Sequence, residues 1–124
     1  MIVACPKEIK NHEYRVGLTP AGAHALTLQG HTVLVEKQAG ARVGFADAAY
    51  AAAGAEVVDS AAEAYRRADL VIKVKELQAA EFPLTRPGQI LYCYQHLAPD
   101  PELLQHLLDC GVSCVAYETV TDAR

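Results

Sequence analysis

The chain has 124 residues, of which 52% are hydrophobic and 21% charged, and its formal net charge is −4. This length and composition suit one compact domain with a buried core and exclude a disordered chain. The basic residues are scattered, so the concentrated positive surface that binds nucleic acid without sequence preference is absent. No apolar run approaches the roughly 20 residues that span a bilayer, and "MIVACPKEIK" lacks the features of a signal peptide. We therefore expect no membrane and no nucleic-acid partner.

The four cysteines favour free thiols over a disulfide or a metal site. Cys5, Cys93 and Cys114 lie in or beside apolar runs, where free cysteine behaves as a small hydrophobic residue. Cys110 and Cys114 are closely spaced, but Gly111 predicts a helix end between them and so places them on different elements. Free thiols are typical of a reducing cytoplasm, which is the location that we expect. No metal-ligand spacing is present, and we expect no metal.

Short apolar runs recur along the chain and predict six strands. They are rich in Val, Ile and Leu and mostly apolar on both faces, as strands are when helices cover both sides of a parallel sheet. The predicted strands are Ile2–Cys5, Thr32–Glu36, Glu56–Val58, Leu70–Val74, Ile90–Tyr94 and Val112–Tyr117.

The segments between these runs carry the start and stop signals of helices. A side-chain oxygen that caps free N–H groups begins each predicted helix, and a left-handed glycine ends most of them. Leu103, Leu104, Leu107 and Leu108 share one face of the last helix, which predicts packing against the sheet. Leu77 to Gln89 predicts one helical turn and then a loop. The caps and ends are Thr19 and Gly30, Asp47 and Gly54, Ser60, and Asp100 and Gly111.

The alternation of strand and helix predicts right-handed βαβ crossovers and an α/β fold. We expect an open, mostly parallel sheet of about six short strands with helices on both faces, of the Rossmann-like or flavodoxin-like kind. The chain ends at "YETVTDAR" without a closing helix. It is therefore expected to be part of a longer protein, with one edge or face of the sheet uncovered.

Polar side chains follow four of the predicted strands at the point where each strand ends. In parallel α/β sheets, ligands bind beyond these carboxyl ends, so the side chains are candidates for one site. They are Lys7, Glu8, Glu13 and Arg15 after the first strand, Lys73, Lys75 and Glu76 after the fourth, Tyr94, Gln95 and His96 after the fifth, and Glu118 after the sixth.

The chemistry of this set suits a small 2-oxo acid or amino acid. Arginine binds a carboxylate through two parallel N–H bonds, lysine polarises a carbonyl oxygen, and histidine transfers protons near neutral pH. Each residue also has a structural alternative: Arg15 as a solvated charge, Tyr94 as a core residue, and His96 as a turn residue. Strand-end lysines often protect an edge, and Lys73 and Lys75 share one face, so we expect at most one to reach the site.

Six collinear segments resemble a known family. They are similar to the N-terminal part of the family that comprises alanine dehydrogenase and the alpha subunit of nicotinamide nucleotide transhydrogenase. Lys75 and His96 stand where transhydrogenases typically carry neutral or apolar residues, which favours the alanine dehydrogenase branch. The segments are "PKEIKNHEYRVGLTP", "GHTVLVEKQAG", "GAEVVDSAAEAY", "ADLVIKVKE", "QILYCYQHLAPDPELL" and "VAYETV".

The resemblance implies an NAD-dependent, reversible oxidative deamination of L-alanine to pyruvate and ammonium. It implies that Arg15 holds the substrate carboxylate, that Lys75 binds and polarises a substrate oxygen, and that His96 is the general acid and base. Tyr94 would line the pocket. Glu13 and Glu118 would orient the cations.

The same resemblance implies a division of labour between domains. Residues 1–124 would be the N-terminal catalytic domain, and NAD would be bound by a Rossmann domain that this chain lacks, since it contains no G-x-G-x-x-G. The family forms homo-oligomers, commonly hexamers. Three alternatives stay open: a transhydrogenase alpha-subunit domain, a small-acid binding module without turnover, and a purely structural scaffold.

Overall fold

The computed structural model describes residues 1–122, and its centre is a six-stranded sheet in which every neighbouring pair of strands is parallel. The strand order is β3-β2-β1-β4-β5-β6, so the chain starts in the middle, builds one half of the sheet and crosses to build the other. The predicted α/β fold is confirmed, and the sheet is entirely parallel. The strands are β1 (Ile2–Cys5), β2 (Thr32–Glu36), β3 (Glu56–Val58), β4 (Leu70–Ile72), β5 (Ile90–Cys93) and β6 (Ser113–Ala116).

Three strands end earlier than the apolar pattern predicts. The pattern extends the fourth strand to Val74, but β4 ends at Ile72, and the N–H of Val74 donates to the carboxylate of Glu8. The fifth strand stops at Cys93 rather than at Tyr94. The sixth stops at Ala116, because the next three residues form a turn of 3₁₀ helix. A strand ends where its next backbone N–H groups bond to a side chain or to a turn, and apolar character alone does not show that position.

Four α-helices connect the strands, and three of their predicted caps are present. Thr19, Ser60 and Asp100 each accept a hydrogen bond from the N–H three residues later. The predicted cap at Asp47 is wrong: Ala46 is the cap residue, and the Asp47 carboxylate accepts the N–H of Gln38 instead. The helices are α1 (Pro20–Leu28), α2 (Asp47–Ala52), α3 (Ala61–Arg67) and α4 (Pro101–Cys110), with 3₁₀ turns at Ala41–Val43, Ala79–Leu84 and Tyr117–Thr119.

The helices cover both faces of the sheet and divide the core into two layers. Helices α1 and α2 pack on one face through Ala23 and Tyr50. Helices α3 and α4 pack on the other face, where Leu103 and Leu107 of α4 are buried. The prediction of a four-leucine contact is wrong in part, since Leu104 and Leu108 are 40% and 68% exposed. They lie outside the buried face of α4, and the edge strand β6 is itself mostly exposed.

The point where the strand order reverses lies between β1 and β4, in the middle of the sheet. The connection after β1 leads to α1 on one face, whereas the connection after β4 leads to the 3₁₀ turn Ala79–Leu84, which packs on the other face. A crevice forms where two such connections diverge, and ligands of this fold class bind there. Within residues 1–122, no helix is long and apolar enough to cross a membrane.

Candidate functional site

Arg15 lies in the connection after β1 and is held by Glu13. The Glu13 carboxylate accepts hydrogen bonds from the main-chain N–H, Nε and Nη2 of Arg15 at 2.9, 2.8 and 2.8 Å. These bonds from Arg15, helped by the positive charge of Lys75, lower the pKa of Glu13 to about 2. Glu13 is buried, whereas the Arg15 side chain is 57% exposed. Glu13 therefore fixes one edge of the guanidinium and leaves the outer edge, with Nη1, facing solvent.

The two lysines after β4 differ completely in their surroundings. Lys73 is 1% exposed, and its ammonium lies 2.9 Å from Glu81 and 3.2 Å from Glu8. Lys75 is half-buried and forms no ion pair within 4 Å among residues 1–122. Of these two lysines, Lys73 is paired with carboxylates, and Lys75 is the one whose ammonium has no ion pair among residues 1–122.

His96 follows β5 and has an unusual backbone conformation. Its φ of 45° lies in the left-handed region, which costs energy for a residue with a Cβ. The carboxylate of Glu118 accepts the N–H of His96 at 3.0 Å and that of Gln95 at 3.0 and 3.2 Å. These main-chain bonds, the one from His96 first, lower the pKa of Glu118. Glu118 was expected to orient cations; it binds the backbone that carries the imidazole, because two consecutive N–H groups converge on it.

Tyr94 lines an apolar cavity of about 390 Å³ together with Arg15. Its ring packs edge to face against Tyr117 at a centroid distance of 5.1 Å, and it lies 6.4 Å from the ring of His96. Tyr94 is half-buried, so the alternative of a fully buried core residue does not hold. Tyr94 therefore shares a cavity with the arginine and also lies near the ring of the histidine.

Arg15, Lys75 and His96 do not line one common cavity. Lys75 and His96 share a cavity of about 370 Å³ with Lys10, Glu76, Pro99 and Asp100. Arg15 and Tyr94 line the neighbouring cavity described above. Two features connect these cavities. Glu13 binds Arg15 and lies close enough to Lys75 for the positive charge of the lysine to lower the pKa of Glu13. In addition, the Tyr94 ring lies near the ring of His96. The two cavities are adjacent parts of one rim at the carboxyl ends of β1, β4 and β5.

Sequence reasoning missed several residues of this rim. Tyr117 lines the cavity with Tyr94, but the apolar run that contains it predicted a strand residue. Lys10 was also missed; it forms an ion pair in the cavity of Lys75 with Glu76, which was among the candidates, and the second carboxylate oxygen of Glu76 is buried without a hydrogen-bond partner among the described residues. Glu81, which binds Lys73, lies in a segment that gave no site signal. Charges separated by tens of residues reveal their pairing only in three dimensions.

The connection after β1 does not fit a dinucleotide. In the phosphate-binding turn of that fold class, glycines let the backbone approach a pyrophosphate at a helix N-terminus. Here the one glycine of the connection, Gly17, packs against β4: a Cβ added there would lie 2.9 Å from the carbonyl oxygen of Ile72 and from Cα of Lys73. Gly17 therefore serves strand packing. Within residues 1–122, no group of three or more His, Cys, Asp or Glu side chains could hold a metal ion.

Comparisons with known proteins identify the family. The family model described as "Alanine dehydrogenase/PNT, N-terminal domain" matches residues 4–124. An alanine dehydrogenase of Methanococcus maripaludis is 50% identical over 120 residues, which cover 97% of this chain and 32% of that protein. A solved L-alanine dehydrogenase superposes with a TM-score of 0.96 at 47% identity, over 99% of this chain and 34% of the other.

A more distant match lies in the other branch. A solved transhydrogenase from Sinorhizobium meliloti gives a TM-score of 0.89 at 29% identity, over 98% of this chain and 37% of the other. The chain thus spans about a third of the length of the proteins it matches. From the matched residues and the shared fold, the chain belongs to the family of alanine dehydrogenase and PNT N-terminal domains.

Proposed function

We propose that residues 1–124 are the substrate-binding domain of an NAD-dependent alanine dehydrogenase, which interconverts L-alanine with pyruvate and ammonium. The observation that carries this proposal is the unpaired ammonium of Lys75, which shares a cavity with the imidazole of His96. Lys73 is neutralised by two carboxylates, so Lys75 is the lysine of this strand end that lies beside a histidine without an ion pair among residues 1–122. The similarity to alanine dehydrogenases at about half identity supports the same reaction.

In this proposal, Arg15 binds the substrate carboxylate. Glu13 occupies the Nε and Nη2 edge of the guanidinium, which leaves the Nη1 and Nη2 edge for a second bidentate pair. Because Glu13 is ionised at all but strongly acidic pH, the guanidinium is held in one orientation whether or not a substrate is present. A preoriented arginine loses less conformational entropy on binding than a mobile one.

Lys75 and His96 then act on the reacting carbon of the same substrate. The Lys75 ammonium donates to the carbonyl oxygen of pyruvate and makes its carbon more electrophilic toward ammonia. In the deamination direction, His96 takes a proton from the water that adds to the imine carbon and returns a proton to the departing amine. Tyr94 lines the adjoining cavity with Arg15 and limits the space to a small side chain.

NAD would supply the hydride acceptor, but the connection after β1, whose one glycine packs against β4, does not fit a dinucleotide. We therefore place NAD binding in another part of the full-length protein, as in a dehydrogenase with a separate dinucleotide domain. We also propose a cytoplasmic homo-oligomer, with a hexamer as the family's common form. The buried thiols of Cys5 and Cys93, with pKa values raised to about 12 by burial, suit a reducing compartment.

The test is substrate dependence in the full-length protein. We expect reduction of NAD with L-alanine, and a loss of about 30-fold or more in kcat/KM for Arg15→Ala, since a bidentate charged contact is worth about 2 kcal/mol. Arg42→Ala is the matched control: Arg42 is another exposed cation near the same connection, stacked on Tyr14 at 5.1 Å, and its loss is expected to leave kcat/KM within twofold. An Arg15→Ala enzyme within threefold of wild type would refute the anchor role.

The second candidate is a transhydrogenase alpha-subunit domain, which the superposition with the Sinorhizobium meliloti protein favours. It predicts hydride exchange between two nucleotides and no response to L-alanine. The same assay separates the two functions. Exchange between nucleotides without any alanine-dependent turnover would replace the first proposal with the second.

A further inference from the structure

Three charged side chains form a buried network under the candidate site. The Lys73 ammonium contacts Glu8 and Glu81, and all three side chains are 1–3% exposed. Tyr65 donates its hydroxyl hydrogen bond to Glu81 at 3.2 Å. One ammonium therefore serves two carboxylates. Burial opposes the charge on Lys73, but its attraction to Glu81 and Glu8 outweighs burial and raises its pKa, while burial raises the pKa of Glu8.

Glu8 differs from Glu81 because it also binds the backbone at the end of β4. One of its oxygens lies 3.2 Å from Lys73, and the other accepts the N–H of Val74 at 2.6 Å. Glu8 belongs to the connection after β1, whereas Val74 immediately precedes Lys75. The Glu8 carboxylate thus links the segment that contains Arg15 to the segment that contains Lys75.

A second contact, at Gly17, holds the other end of the connection after β1 against the end of β4. Gly17 packs so closely on Ile72 and Lys73 that a Cβ would lie 2.9 Å from their backbone atoms. Arg15 lies between these two attachments at Glu8 and Gly17. Its position relative to Lys75 therefore depends on how β4 and the connection are joined.

We propose that Glu8 is a positioning residue that fixes the separation of Arg15 and Lys75. This inference rests on the proposed function, because it assigns those two residues to one substrate. Glu8 itself contacts no substrate in this proposal; it acts through the backbone of residues 9–15 and 74. A bidentate arginine and a lysine can hold one three-carbon acid only at a fixed spacing, so loosening Glu8 weakens substrate binding.

The variant that tests this is Glu8→Gln in the full-length protein. It keeps the side-chain volume and leaves Lys73 and Glu81 as a one-to-one pair, so the fold is expected to survive. The amide can accept from Lys73 or from Val74, but its NH₂ end then faces the other donor. We expect the KM for L-alanine to rise at least fivefold and kcat to stay within threefold, because the His96 segment does not contact Glu8.

Tyr65→Phe is the matched control, since it removes a hydrogen bond from the same network without touching the connection after β1. We expect it to lower the melting temperature and to leave KM within twofold. A Glu8→Gln enzyme with unchanged KM, or a Tyr65→Phe enzyme with the same rise in KM, would overturn the positioning role and leave only a contribution to stability.

Amide hydrogen exchange tests the role of Glu8 independently of the proposed function, because it does not require turnover of L-alanine. If the wild-type protein does not oxidise L-alanine, the proposed function is wrong. Amide hydrogen exchange then shows whether Glu8 still fixes the position of the connection after β1 relative to β4. Positioning predicts faster exchange at residues 9–16 and at Val74 in Glu8→Gln than in Tyr65→Phe. Equal exchange in the two variants would refute it.

Discussion

At the residue scale, the same side-chain type has opposite roles two positions apart. Lys73 is enclosed with two carboxylates, whereas Lys75 is half-buried without an ion pair among the described residues. A buried ammonium is stable only when it is paired, because its desolvation must be offset by nearby negative charge. Lys73 thus stabilises the fold at the end of β4, and Lys75 is the lysine to which we assign a role in the proposed reaction.

This difference predicts opposite outcomes for two lysine-to-methionine variants. Lys73→Met leaves Glu8 and Glu81 buried without their cation, so we expect a loss of about 3–5 kcal/mol of stability and a marked fall in melting temperature. Lys75→Met is expected to unfold within a few degrees of wild type and to lose most of its alanine-dependent activity. Thermal unfolding and steady-state kinetics of the full-length protein measure both. Lys37→Met, at an exposed position, is the control. A Lys75→Met protein less stable than Lys73→Met would contradict the assignment.

At the scale of elements, the polar side chains of the candidate site are positioned by short turns rather than by strands or helices. The sixth strand ends in the 3₁₀ turn Tyr117–Thr119, which brings Glu118 under the N–H groups of Gln95 and His96. Those bonds cross between the connections after β5 and β6 and hold His96 at a φ of 45°. A strained residue persists only when its surroundings fix it, and such residues concentrate at functional sites.

The prediction at this scale concerns the acceptor at position 118. Glu118→Ala removes the partner of both N–H groups, so the His96 segment can relax; we expect kcat to fall about tenfold with little change in KM. Glu118→Gln keeps an acceptor oxygen and is expected to recover most of the loss. Kinetics of the full-length enzyme with L-alanine provide the measurement. Equal losses in both variants would mean that the negative charge of Glu118, rather than its hydrogen bonds, matters to His96.

At the scale of the whole molecule, the parallel sheet decides where a ligand can bind. The strand order reverses between β1 and β4, so the connections after these strands diverge and open the rim that contains Arg15 and Lys75. A smaller cavity of about 250 Å³ lies on the β2 side of the first connection, among Lys7, His12, Gln38 and Arg42; Arg15 lines this cavity too, but Lys75 does not. The rim that contains Lys75 lies at the reversal point, between the ends of β1 and β4.

We expect pyruvate to bind at the reversal point. In a crystal structure of the full-length protein with pyruvate, its carboxylate should contact the outer edge of Arg15, and its carbonyl oxygen should contact Lys75. Pyruvate bound only in the smaller cavity, near Arg42, would contradict this placement and with it the shared use of Arg15 and Lys75.

The sequence by itself determined the architecture, and it indicated which strand ends carry the candidate site. Six apolar runs, capped helices and their alternation are local signals, and each reflects the burial of nearby side chains or the conformational limits of single residues. Only the tertiary structure decided which lysine is free, that Glu118 binds backbone rather than cations, and that Glu8 joins two connections. Those outcomes depend on contacts between residues 8 to 66 positions apart, and the energy of a charge is set by the partners and the solvent that the fold assembles around it.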